Sequence, residues 1–106
     1  MVKINGELWE AMLVSPNHPK LRREDGTFSI GCCDDVAKKI YINDRLNSYY
    51  TKKVLCHELV HAAMYSYNVE LDHDSEELIA EIIATYGEEI IRLTNTIFIK
   101  IKRGNL

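Results

Sequence analysis

The chain lacks an excess of either charge, a long hydrophobic run, a cysteine framework and any internal repeat. With 13 Lys+Arg against 16 Asp+Glu the net charge is −3, which leaves no electrostatic footprint for nucleic acid. The basic cluster His18, Lys20, Arg22 and Arg23 is too short to alter that. Apolar runs fall far below a membrane span, and the opening MVKINGELWE lacks the apolar core of a secretory leader. A cytoplasmic protein with no membrane or nucleic-acid partner is the expectation. The three cysteines, adjacent Cys32 and Cys33 plus Cys56, fit no disulfide pattern and read as reduced thiols. Residues 1–106 are read as a single domain, long enough for one modest core.

The first half carries strand patterns. VKIN and ELWEAMLV flank Asn5-Gly6, a favoured hairpin dipeptide. Ser15 to Gly26 is rich in Pro, Asn and charge and reads as a surface loop. TFSIGCC and KKIYIN are rich in β-branched and aromatic residues around the polar turn at Asp34-Asp35, which predicts a second hairpin. The second half carries helical patterns. A helix is expected from about Tyr50 to Tyr67, capped at Ser48 or a neighbour. Leu55, Leu59, Ala62 and Ala63 would face the core, with Val54, His57, His61 and Tyr65 opposite. Asp74-Ser75 would cap a second helix, with Glu76 and Glu77 in its positive first turn. Ile79, Ile82, Ile83, Tyr86, Ile90 and Leu93 fall on one broad face of it, and the pattern past Thr94 favours continued helix. The expected class is α+β: a small antiparallel or mixed sheet followed by two main helices.

Within the first helix lies VLCHELVHAAMY, Val54 to Tyr65. Residues four apart share a helix face, so the Cβ atoms of His57 and His61 lie roughly 6 Å apart and the imidazoles can grip one ion. Glu58 is placed to reach a water on that ion without ligating it, and a carboxylate there can act as general base. This is why H-E-x-x-H on a helix marks metallopeptidases. Catalytic zinc takes three protein ligands. The metzincin continuation is absent after His61. Among Asp72, His73, Asp74, Glu76, Glu77, Glu81 and Glu88, Glu77 fits best, because it borders the small residues Ala80, Ala84 and Gly87 that let two helices approach. His73 is the main rival. Glu81, one turn on, would hold the far nitrogen of His57 or His61, while Glu76 reads as a capping residue and Glu88 and Glu89 as solvated.

HELVHA followed by EELIAE resembles the gluzincin metallopeptidases, and most closely the small ImmA/IrrE-like proteins of phages and prophages. The resemblance spans about Gly31 to Glu88, and Glu81 stands where an aspartate is usual. It implies one Zn²⁺ held by His57, His61 and Glu77, with Glu58 as general base, cleaving peptide bonds in a restricted protein substrate. A donor for the developing oxyanion would come from Tyr65, His73 or Tyr86. The peptide would lie along an edge strand, TFSIGCC or KKIYIN. A different class is a catalytically silent, zinc-stapled protein-interaction module. The wide apolar arc of the last helix suggests a homodimer contact.

Overall fold

A computed structural model describes residues 1–104 as a mixed sheet followed by two helices, an α+β fold. Strands β1 (Val2–Ile4) and β2 (Glu7–Val14) form an antiparallel hairpin. Asn5 and Gly6 both adopt positive φ, 47° and 80°, as a two-residue hairpin turn demands. Strands β3 (Gly31–Asp34) and β4 (Lys39–Asn43) form the second hairpin. In its turn Asp34 Oδ1 accepts from the backbone N–H groups of Val36 and Ala37. The sheet order is β1-β2-β4-β3, so β2 and β4 pair in parallel and join the hairpins into one sheet.

The segment TFSIGCC is strand only from Gly31 onward. The backbone N–H of Ser29 and its hydroxyl both donate to the carbonyl of Leu21, and Phe28 makes only an isolated bridge with Arg22. The loop claims these groups because Leu21, at the end of a short 3-10 turn (Pro19–Leu21), is fully buried and anchors it.

Helix α1 (Ser48–Ser66) is capped by Asn47, whose side chain accepts from Tyr50 N. Asn68 ends the turn after it in the left-handed region, φ 56°, a conformation asparagine tolerates better than most residues. Helix α2 (His73–Lys102) starts earlier than Asp74-Ser75 capping would give. Asp72 is the cap, bonding both the N–H and the hydroxyl of Ser75, which moves His73 from the loop into the first turn. The helix continues unbroken past Thr94. No helix among the described residues is long and apolar enough to cross a membrane.

Trp9, Ile40 and Ile42 from the sheet meet Val54 and Ala62 from α1 in the core, with Leu55 and Leu59 packed at its margin. The most buried stripe of α1 is Val54, Glu58, Ala62 and Ser66. Val54 therefore faces the sheet, not the histidine side on which the wheel places it. The reason is that α1 is covered on two flanks, by the sheet and by α2, so its buried arc is wider than one apolar stripe.

Ser66 ties the C-terminal end of α1 to the first hairpin. Its hydroxyl accepts from Trp9 Nε1 at 2.8 Å and its carbonyl accepts from Asn5 Nδ2 at 2.8 Å. Trp9 is completely buried, so removing this acceptor strands an indole N–H. Ser66→Ala is expected to lower unfolding free energy by about 1–3 kcal/mol, read as a lower urea midpoint with unchanged slope.

Candidate metal centre

Helix α1 turns His57 and His61 toward α2, and the imidazole rings stand 5.1 Å apart. Glu77, in the second turn of α2, reaches between them. Its Oε2 lies 3.3 Å from His57 Nε2 and its Oε1 2.7 Å from His61 Nε2. One ligand atom from each of His57, His61 and Glu77 lies within 4.8 Å of the others, and this group could hold a metal ion. A tetrahedral ion with bonds of roughly 2.0–2.1 Å sets its donors about 3.3 Å apart, a spacing these side chains meet with small adjustments.

The far nitrogens of both rings face carboxylates of α2, and that of His61 is hydrogen-bonded. Glu81 Oε2 lies 3.3 Å from His57 Nδ1, and Glu76 Oε2 lies 2.5 Å from His61 Nδ1. An Nδ1–H donated to a carboxylate leaves the Nε2 lone pair free and fixes the direction of the ring. Glu81 is itself anchored by Lys53 Nζ at 3.0 Å, and that lysine is the main reason its carboxyl pKa is lowered. Glu76 is the residue that sequence reasoning misplaced, since its first-turn position suggested only a favourable pairing with the helix dipole. The available signal was its fifteen-residue separation from His61, close to the sixteen that separate His61 from Glu77.

Glu58 points the other way, toward the sheet. It is only 7 % exposed and does not belong to the candidate ligand group. Strand β3 crosses directly above it at Gly31, where an added Cβ would sit 2.6 Å from Val54 Cγ1 and 3.2 Å from Glu58 Cγ. Only a residue without a side chain lets the strand lie this close. Burial pushes the Glu58 pKa up; His61 and His57 pull against that, and Glu77 adds to it.

Two clefts meet at Glu58 and Glu77. One, of about 430 Å³, is walled by Arg23, Gly31, Tyr50 and Lys53. The other, of about 380 Å³, is walled by Cys33, Tyr65, His73 and Glu76. Tyr65 and His73 thus border the site, whereas Tyr86 lines neither cleft. His73 is not among the converging ligands. KKIYIN does not serve as an edge strand, because β4 is paired on both sides, and the free edge beside the site belongs to β3. Of the short basic cluster, His18 stacks on Tyr41 and Lys20 pairs with Asp34 at 2.8 Å, while Arg23 lines the first cleft.

The chain matches no family model, no curated protein and no solved structure. The gluzincin resemblance accordingly rests on the two helical motifs alone.

Divalent-metal affinity at this group is expected to fall about 10–100-fold in Glu76→Ala in competition with a chromophoric chelator, with Glu88→Ala unchanged, since Glu88 pairs with Lys52 on the surface. Wild-type affinity in Glu76→Ala would show that the carboxylate does not orient His61. A second expectation concerns Cys33, whose thiol is pushed up to about 12 by burial first and the Glu58 charge second. At pH 9 such a group is ionised on the order of one part in a thousand, so iodoacetamide should label it at least about ten-fold more slowly in the folded protein than in urea.

Proposed function

We propose that the chain is a zinc-dependent peptidase that hydrolyses peptide bonds in a restricted protein substrate. The observation that carries this reading is the division of labour on α1. His57 and His61 converge with Glu77, while a third ionisable side chain, Glu58, stays buried beside them at the junction of two clefts. Three protein ligands is the number found in catalytic zinc sites, whereas structural sites use four. A purely structural site has no need of the adjacent glutamate.

Zinc bound by such a trio supplies a water of pKa about 7 and polarises a carbonyl oxygen. With the ion in place, Glu58 would take a proton from the water as its oxygen adds to the carbonyl carbon, and would pass that proton to the amine nitrogen as the C–N bond breaks. The unpaired edge of β3 offers backbone N–H and C=O groups to an extended peptide, and the two clefts continue the path on either side of Glu58. Tyr65 and His73 border the second cleft and are the better-placed candidates for oxyanion donor.

The second reading, a zinc-stapled interaction module without catalysis, is favoured by one observation. Ala80 is the one fully buried residue of α2 among those described, so an ion shared between the helices would contribute much of their attachment. Both readings are tested with zinc-loaded protein and a mixed-sequence peptide library scored by mass spectrometry. Glu58→Gln is expected to keep zinc at wild-type stoichiometry and lose cleavage by at least about 100-fold. Undiminished cleavage in Glu58→Gln would overturn the peptidase mechanism. Absence of cleavage by the wild type over the whole library would favour the module.

A further inference from the structure

Helix α2 runs far beyond the domain it starts from. Every residue from 88 to 104 is exposed. The molecule extends 56 Å along its long axis with a radius of gyration of 16.3 Å, against about 13 Å for a compact chain of this length. Its accessible surface is 7686 Å², roughly 1,600 Å² more than a compact monomer of the same mass presents. That excess is about twice what each partner contributes to a standard protein interface, roughly 800 Å².

The projecting segment is apolar as well as exposed. Ile83, Tyr86, Ile90, Leu93 and Ile97 follow one another at alternating spacings of three and four, and all are more than 40 % exposed. Over these two heptads the spacing is that of a two-helix seam; the next position of the repeat is Lys100, and Ile91, Phe98, Ile99 and Ile101 are exposed off the stripe. Charge selects the occupant. Glu88 and Glu89 precede the central Leu93, offset in part by Arg92, and Lys100, Lys102 and Arg103 follow Ile97, with only the uncharged Thr94, Asn95 and Thr96 between these two apolar residues. The basic residues suit the negative end of their own helix, but Glu88 and Glu89 lie mid-helix, beyond the reach of its positive end. A two-fold axis near Asn95 brings the acidic part of one helix against the basic end of another. A surface of this kind is complementary to itself in the antiparallel sense and not in the parallel one.

We propose that the C-terminal half of α2 pairs antiparallel with the same segment of a second copy of this chain. The contact is separate from the metal centre and does not depend on the peptidase reading. Glu88 already pairs with Lys52 of its own chain, so Glu89 and Arg103 are the positions that test direction. Sedimentation equilibrium of the full chain is expected to give twice the monomer mass through the micromolar range. Ile90→Glu with Leu93→Glu is expected to give a monomer with unchanged far-UV circular dichroism and zinc binding, because both side chains are exposed in the single chain. Glu89→Lys should weaken the dimer about ten-fold or more, and Arg103→Glu added to it should restore it. A wild type monomeric throughout that range, one that instead floats with phosphatidylcholine vesicles, a double-Glu variant that stays dimeric, or a Glu89→Lys dimer of unchanged strength would each overturn the proposal.

Discussion

Carboxylates of helix α2 meet the imidazoles of helix α1. Glu76, Glu77 and Glu81 all reach the ring nitrogens of His57 and His61, and Ala80 is the one fully buried residue of α2 among those described. Three carboxylates drawn together in a partly desolvated place repel one another unless positive charge or donated protons answer them. The small side chain at Ala80 brings the helices near enough for Glu77 to reach both rings, and the flanking glutamates then hold the rings in the pose that points their free nitrogens inward. Shape and charge are coupled here, because a bulkier residue at Ala80 would separate the same groups that make the site.

The opposite flank of α1 obeys a different constraint. There the helix packs on the sheet, and the stripe facing it includes a carboxyl, Glu58, where a hydrocarbon side chain would be the ordinary choice. Gly31 allows β3 to close over that position, and the closeness is felt in the neighbouring groups. Cys33, on the same strand, has its thiol suppressed by burial and by the nearby carboxylate. One helix therefore presents His57 and His61 to one neighbour and a buried carboxyl, Glu58, to the other, one residue apart in sequence. An α-helix does this naturally, since adjacent residues differ by about 100° in direction.

The far half of α2 stands outside both arrangements. It carries apolar residues at a seven-residue repeat, yet nothing among the described residues covers them. The stability of a helix in proteins comes mostly from packing of its apolar face, so the segment is only half accounted for by the fold to which it is attached.

Much of this architecture is local and was legible in the chain. Asn5-Gly6 makes its hairpin, the order of strands before helices holds, α2 continues past Thr94, and the four-residue spacing of His57 and His61 sets them on one face with Glu77 a loop and a turn away. These follow from dihedral preference and periodicity, which a sequence carries in full. Other features were decided only when distant segments met. The parallel pairing of β2 with β4, the burial of Val54 on the sheet side, the loss of strand from Thr27 to Ile30, and the bond from Glu76 to His61 all depend on what lies across from a residue. Periodicity tells which way a side chain points from its own element, but not which neighbour will stand there.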